Sequence, residues 1–402
     1  MPDPGPRLPP RIAHFDLDTF FVAVERARDA SLRGRPVLVG RAGPRGVVAA
    51  ASYESRKFGC RSAMPMTQAL RLCPQAIVVA PDFTAYRTVS ARFHEMLREL
   101  SPVVESVGID EAYVDLTGIG EPTGGAYAAA AALRARVHAD LDVAVSVCIA
   151  GSRTTAKVGS DRAKPDGLIE VPVGDDATFL APFAIRELPM VGPKAAETLG
   201  RMGVRTIGQL AALDERWLVQ QFGSAGPVLS ARARGLDPTP VNGNGRVARS
   251  ISREVTFLED VTDEAELRRV LARHAERVGT DLRDSGKRAR TVTLKLRWDD
   301  FTTLTRSHTL ERPVQSTAAI AEAGRALFDA TIAAEGMRPV RLIGLGVTNI
   351  VEDALQLDFF DAATTTMTGT TTPAGVLRDE ELDRTIDGLR ARFGSGVVKR
   401  GL

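Results

Sequence analysis

Residues 11–25 read RIAHFDLDTFFVAVE, and the way this stretch divides sets the fold. From Arg11 to Leu17, residues Ile12, His14 and Asp16 alternate with Ala13, Phe15 and Leu17. That is the period of a strand, one that delivers Asp16 at its end. A helix is expected to follow. Downstream, 36–40 and 47–52 read as short buried strands, and 66–73 as a small helix stopped by Pro74. Apolar spacing at Val89, Phe93, Met96, Leu97 and Leu100 predicts a helix over 86–100, its end announced by Pro102. A strand pair, 103–107 and 112–116, brackets Gly108-Ile109-Asp110-Glu111, and an alanine-rich helix over 126–141 leads to a buried strand over 143–149. This β-α-β-β-α-β order predicts an α+β sheet that contains antiparallel pairs and carries helices on one face.

From about residue 172 the pattern changes to short helices. Leu188-Pro189-Met190-Val191-Gly192-Pro193-Lys194 and then Gly203-Val204-Arg205-Thr206-Ile207-Gly208 separate them. Helix, glycine turn, helix is the pattern of a helix-hairpin-helix, which would offer backbone N–H groups near Gly192 and Lys194 to a DNA phosphate. Any short helical hairpin with a glycine turn reads the same way. Residues 238–245, PTPVNGNG, have no periodicity and are the best linker candidate. Beyond them 251–257, 264–282, 289–298, 302–309, 316–334 and 340–347 again read β-α-β-β-α-β. Here Arg283, Lys287, Arg288, Arg290, Lys295 and Arg297 crowd one loop and strand beside a single acid, Asp284. At period two, Arg288 with Arg290 and Lys295 with Arg297 fall on common faces, so one sheet surface could track a phosphate backbone. A solvated charged face would look the same.

The chain has 402 residues, 44% hydrophobic and 25% charged, an ordinary globular composition whose length suits two to four domains of roughly 150 residues. With 52 basic and 50 acidic side chains the net charge is +2, which excludes a chain coated in basic residues but not a basic face balanced elsewhere. Cys60, Cys73 and Cys148 are odd in number and form no C-x-x-C, against a disulfide framework or a cysteine zinc site and in keeping with a reducing compartment. No signal-peptide core and no run of roughly 20 apolar residues is present, so a cytoplasmic protein without a membrane partner is expected.

Asp16, Asp18, Asp110 and Glu111 are the acids expected at strand ends. None of the 5 histidines pairs at ligand spacing with another, so oxygen ligands for a hard metal are favoured over zinc. Carboxylates around two Mg²⁺ ions about 4 Å apart are what in-line phosphoryl displacement needs. Taken singly, Asp-x-Asp also suits a capped helix start, and Asp110-Glu111 a turn between strands.

Four stretches occur in order: Asp16-Leu17-Asp18-Thr19-Phe20-Phe21-Val22-Ala23-Val24-Glu25; Ser52-Tyr53-Glu54-Ser55-Arg56-Lys57-Phe58-Gly59; Gly108-Ile109-Asp110-Glu111-Ala112-Tyr113-Val114-Asp115; and Ala163-Lys164-Pro165-Asp166-Gly167. Together with the glycine hairpin they closely resemble the Y-family translesion DNA polymerases over roughly residues 11–352. The resemblance implies that Asp16 and Asp110 ligate two Mg²⁺ ions, with Mn²⁺ as a substitute. It gives Glu111 the ion nearest the primer 3′-hydroxyl, and Leu17 a main-chain carbonyl for the nucleotide-side ion. Asp18 is read as structural. Tyr53 and Arg56 would contact the incoming triphosphate and Lys164 would neutralise it, with Lys157 adding charge nearby. Phe20 and Phe21 would lie at the nucleotide, Phe21 as the steric gate whose ring leaves no room for a 2′-hydroxyl. Ala50 and Ser52 stand where the family often has Thr and Asn, so one hydroxyl contact to the triphosphate is expected to be missing. Gly108 stands where Ser is common.

The organisation implied is a right-handed α+β polymerase: palm at 1–19 and 82–172, fingers at 20–81, and a helical thumb at 173–238. A linker at 239–248 leads to a little finger at 249–352 and a tail at 353–402. In the tail, Gln356-Leu357-Asp358-Phe359-Phe360 resembles the peptide by which bacterial polymerases dock on a sliding clamp. Residues 381–393 look like a short amphipathic helix. The expected activity is low-fidelity, template-directed DNA synthesis without proofreading, by a monomer acting on primer-template DNA and deoxynucleoside triphosphates. A non-catalytic DNA- or clamp-binding scaffold of the same fold is the alternative, and the intact Asp16, Asp110 and Glu111 speak against it. A two-metal nuclease or cyclase is disfavoured by Tyr53, Arg56 and Phe21.

Overall fold

Strand β1 (Ile12–Leu17) is buried at all six positions, so it must be covered on both faces. The computed structural model describes residues 8–119, 125–243, 248–352, 373–394 and 397–398. They fall into two units that divide after Arg246. The first continues with α1 (Phe20–Arg28), β2 (Val37–Gly40), β3 (Val48–Ala51), α2 (Tyr53–Arg56), α3 (Met66–Leu72), β4 (Ile77–Val79) and α4 (Phe83–Leu100). Then come β5 (Val104–Ser106), β6 (Glu111–Asp115), α5 (Gly125–Leu141), β7 (Val145–Ala150), α6 (Arg153–Ala163) and β8 (Leu168–Glu170). Five helices close the unit: α7 (Asp176–Leu180), α8 (Pro193–Arg201), α9 (Ile207–Ala211), α10 (Glu215–Phe222) and α11 (Ala225–Ala233).

The main sheet has the order β5-β6-β1-β7-β8. β1 pairs antiparallel with β6, Asp16 opposite Glu111, and with β7, Asp16 opposite Ser146, while β8 joins β7 in parallel. Ala13, Phe15 and Leu17 pack into a core with Phe93, Met96 and Leu97 of α4 and Leu133 and Val137 of α5. Ile12, on the other face, packs with Cys148, Ala150 and Ala156 of α6. The one-sided arrangement expected from the sequence is therefore corrected: α4 and α5 cover one face and α6 the other. A smaller sheet, β3-β2-β4, is closed by Met66 and Ala69 of α3 with Cys60 and Cys73. All three cysteines are free and buried.

The helical segment has its own core, with Leu180, Leu199, Ile207, Leu218 and Leu229. α8 starts after Gly192 with Pro193 in its first turn, and the chain turns through Gly203 at φ 83 into α9. Thr206 caps α9, its side chain accepting from the Gln209 amide while Gln209 reaches back. Gly192 and Lys194 are exposed. The start of the linker stretch is anchored, not free: Arg153 donates to the Pro240 carbonyl at 2.8 Å, and the Asn242 amide to Glu105 at 2.9 Å.

The second unit runs β9 (Ser250–Val261), α12 (Glu264–Asp284), β10 (Lys287–Trp298), β11 (Thr303–Val314), α13 (Thr317–Glu335), β12 (Val340–Glu352) and α14 (Pro373–Phe393). Its strands are ordered β11-β10-β12-β9, every pair antiparallel. Leu294, Leu296 and Trp298 alternate inward against Leu271 and Val278 of α12 and Ile320 and Phe328 of α13. Thr293, Lys295 and Arg297 therefore occupy the opposite face, beside Gly346 and Gly344 of β12 and Ser307, Thr305 and Thr303 of β11.

Against β11 the register shifts between Ala289 and Thr291, with the extra residues on β11, while β10 keeps its register with β12. Arg288 and Arg290 stand an odd number of residues from Lys295 and Arg297, so no single period-two row holds all four. Arg288 instead pairs with Glu380 of α14 at 2.6 Å, side chains 13% and 3% exposed. The short helix expected at 381–393 is longer and docked. Asp383 accepts from the Thr317 amide at the start of α13 at 2.8 Å, and Arg283 donates to Asp387 at 2.6 Å. Among the described residues no helix is long and apolar enough to cross a membrane.

Candidate active site

Asp16 leaves the end of β1 with its side chain on the α6 face. Its Oδ1 accepts from Lys164 Nζ at 2.9 Å and its Oδ2 from Lys157 Nζ at 3.1 Å. Glu111 opens β6 directly opposite, and its Oε2 accepts from the same Lys157 at 2.6 Å. One ammonium thus bridges two carboxylates from adjacent strands. Asp110 is held by its backbone, the carbonyl accepting from the Leu17 amide at 2.9 Å. Burial, and then the charges of Asp16 and Glu111, raise its carboxyl above the ordinary range. Burial lowers Lys157 and Lys164, but the facing acids outweigh it and leave both above their ordinary value. Crowded carboxylates that already hold an ammonium between them form an all-oxygen donor set, and they fit a hard divalent cation.

The loop that presents Lys164 is held by Asp18. Asp18 accepts from Ser146 Oγ at 3.0 Å and from the Asp166 amide at 2.6 Å, and only 3% of it is exposed. That geometry agrees with the structural role expected of it. Gly108 leaves space for both neighbours, since a Cβ there would come within 3.1 Å of Asp110 Oδ1 and 3.3 Å of Glu111 Cγ.

Phe20 and Phe21 part company. Phe20 is 3% exposed and its side chain belongs to the core, which leaves its main chain for any contact at the site. Phe21 is half-buried and stacks on Tyr86, with ring centroids 4.3 Å apart and planes 15° apart. Phe83 meets both rings edge-on, and the Tyr86 hydroxyl donates to Glu25 at 2.6 Å. The Phe21 ring thus rests on a hydrogen-bonded aromatic floor that the sequence reading missed.

Around α2 the Ser52 hydroxyl accepts from the amides of Ser55 at 3.2 Å and Val37 at 3.0 Å, so it is spent as a cap. Arg56 is exposed, its Nε donating to the Ala51 carbonyl at 3.0 Å and its guanidinium 5.3 Å from the Tyr53 ring centroid. The Tyr53 hydroxyl is buried, and burial followed by the Asp18 charge raises its pKa above the ordinary range.

Sequence reasoning passed over His14 because it has no histidine partner. It lies two residues before Asp16 on the same strand face, and period two could have found it. Ligating atoms of His14, Asp16 and Glu111 lie within 4.8 Å of one another. Burial, then Lys157, Lys164 and Arg153, hold its pKa well below the usual value. Leu17 is core by its side chain, which leaves only its main chain for the site. Gln356, Leu357, Asp358, Phe359 and Phe360 lie outside the described residues.

Comparison with known proteins gives a consistent result. Residues 15–161 match the impB/mucB/samB family, and 248–359 match the impB/mucB/samB family C-terminal domain. A DNA polymerase IV of Dehalococcoides mccartyi is 38% identical over 392 residues, 97% of each chain. One of Streptomyces coelicolor is 42% identical over 360 residues, 89% of this chain and 74% of the relative. Among solved structures, a Y-family DNA polymerase chimera aligns with TM-score 0.76 at 23% identity, covering 85% of this chain and 100% of its own. DinB from Sulfolobus solfataricus aligns with TM-score 0.59 at 23% identity over the same shares.

Proposed function

The chain belongs to the Y-family DNA polymerases, the impB/mucB/samB family, and from that premise we propose how its residues carry out translesion DNA synthesis. The reaction is template-directed addition of a deoxynucleotide to a primer 3′-hydroxyl. The observation that carries the proposal is the meeting of Asp16, Asp110 and Glu111 at the ends of neighbouring strands, faced by Lys157 and Lys164.

Asp16 and Asp110 would hold two divalent cations, Mg²⁺ or in its place Mn²⁺. Glu111 would complete the primer-side position, and the Leu17 carbonyl the nucleotide-side one. Bound there, the cations would make the primer oxygen a better nucleophile and neutralise the leaving diphosphate. Lys164, steered by Asp18 through the Asp166 amide, meets the triphosphate charge, and exposed Arg56 adds a second cation. Phe21 forms the wall under the sugar. Because Tyr86 backs its ring, it cannot retreat to admit a 2′-hydroxyl, and discrimination is steric.

Domain roles follow the palm, fingers, thumb and little-finger division at 1–19 with 82–172, 20–81, 173–238 and 249–352. Gly192 and Lys194 of the thumb, with Arg290, Lys295 and Arg297 of the little finger, are assigned to DNA phosphates. Gln356 to Phe360 are assigned to a sliding clamp, on the strength of three apolar residues in a segment of Asp, Ala and Thr. The protein acts as a monomer in the cytoplasm, where three free thiols are stable.

Primer extension with Mg²⁺ and each nucleotide type tests the reading. The parent should extend with deoxynucleotides and exclude ribonucleotides, and Phe21→Ala should admit ribonucleotides while deoxynucleotide addition largely survives. A Phe21→Ala protein that excludes them as strongly as the parent would return Phe21 to the core.

A further inference from the structure

Phe21 and Glu25 stand one turn apart on α1, and Phe83 and Tyr86 one turn apart at the start of α4, so each pair shares a face of its helix. Tyr86 is wholly buried. Its ring lies behind Phe21 and beside the core ring of Phe20, whose centroid is 6.2 Å away. A hydroxyl buried at that depth needs a partner. It donates to Glu25 Oε1 at 2.6 Å, and Glu25 is itself only 6% exposed. The other oxygen of Glu25, Oε2, is 3.3 Å from Arg28 Nη1, and Arg28 Nη2 is 3.0 Å from Asp82, whose carboxylate caps α4. Glu25 therefore ties Tyr86, and the helix end that carries it, to the helix that carries Phe21.

We propose that Glu25 is a positioning residue for nucleotide selection: through the Tyr86 hydroxyl it sets how strongly Phe21 excludes a 2′-hydroxyl. The inference rests on the reading of Phe21 as the steric gate. A deoxynucleotide leaves the Phe21 ring in place, so nothing behind the ring is disturbed. A ribonucleotide enters only when Phe21 moves, and Phe21 moves only when Tyr86 gives way. Tyr86 gives way by breaking its bond to Glu25, which strands a hydroxyl and a carboxylate oxygen in the core. That cost falls on one substrate and spares the other, which is the condition for selectivity. A hydrogen bond to a carboxylate is strong enough to carry a preference of about tenfold. Glu25 touches neither nucleotide and acts only through the two stacked rings.

The test is primer extension by the full-length protein, with kcat/KM measured separately for a deoxynucleotide and for the matching ribonucleotide. Tyr86→Phe keeps the ring and removes the hydroxyl, so the preference for the deoxynucleotide should fall by about tenfold, chiefly because the ribonucleotide is used better. Glu25→Ala should lower the preference to a similar degree. Glu25→Gln, whose amide oxygen can still accept from the tyrosine, should keep most of it. Added to Phe21→Ala, the Tyr86→Phe change should lower the preference no further, because the ring it acts through is gone. A parental preference in Tyr86→Phe, or an equal loss of efficiency with both nucleotides, overturns the inference alone, provided that Phe21→Ala admits ribonucleotides. A Phe21→Ala protein that still excludes them overturns the gate reading beneath it. Should Glu25→Ala fail to fold, Tyr86→Phe and its combination with Phe21→Ala decide the matter.

Discussion

In the first unit β1 and β7 are 6 residues each and buried throughout, while in the second β10 runs 12 residues with alternate positions from Val292 onward partly exposed. Both sheets grow from a β-α-β-β-α-β order. A short strand covered on both faces has no surface to offer, so its chemistry gathers where it ends: Asp16, Glu111 and the Asp110 carbonyl meet at one end of the neighbouring strands β1 and β6. A long strand covered on one side offers a face, and there Thr293, Lys295 and Arg297 stand among glycines and hydroxyls. Burial makes the first region intolerant of small changes. Exposure makes the second tolerant, because its ion pairs, such as Lys295 with Glu254, are solvated and contribute little.

The largest effect should come from the acids. Asp110→Ala with Glu111→Ala removes transition-state stabilisation of several kcal/mol, so primer extension should fall by at least about 10³-fold while DNA affinity stays near that of the parent. Extension at a near-parental rate would end the comparison, since the strand ends would then be no more than turns.

The next concerns what holds the second sheet. Arg283 and Asp383 have side chains 6% and 3% exposed, and removing one partner of a buried pair costs about 3–5 kcal/mol. Asp383→Ala should lower the unfolding midpoint of the second unit by that measure in denaturant titrations and leave the first unit unchanged. No shift would make α14 an ornament on the sheet instead of part of it.

The cations of β10 should show a smaller, graded effect. Replacing Arg290, Lys295 and Arg297 with Ala should weaken binding similarly for all sequences and flatten its salt slope by about 0.9 for each phosphate no longer neutralised. An unchanged slope would return the three to a solvated surface. Smallest of all without a partner is Gln356, Leu357, Phe359 and Phe360→Ala: extension of short primers should be unchanged alone, and stimulation by a loaded clamp should disappear. Undiminished clamp binding would move the dock elsewhere.

Much of this was legible because the signal is local. The alternation around Asp16, the turn at Asp110 and the β-α-β-β-α-β order of the second unit all lie in consecutive residues. α6 was not read as a helix because its buried side includes Thr154, Thr155 and Ser160, polar residues that hide an apolar stripe and are satisfied by Asp237, Ser152 and His14 in turn. β8 has 3 residues, too few to show a period. Nothing local marks Glu380 and Asp383, because their partners, Arg288 and the Thr317 amide, are distant in sequence. The register shift of β11 opposite Ala289 and Thr291 is a property of pairing, and a single strand's sequence does not contain it. Phe20 and Phe21 are chemically alike, so only the packing of α1 decides which ring enters the core.

The central claim is that catalysis belongs to the strand ends and DNA retention to the open face. Single-turnover nucleotide addition at saturating primer-template, with Mg²⁺ titrated, separates the two in one experiment. Glu111→Gln should lose rate and require more Mg²⁺, whereas Lys295→Ala with Arg297→Ala should match the parent rate once DNA is saturating. A sheet-face variant that loses rate as strongly as Glu111→Gln under those conditions would contradict the account.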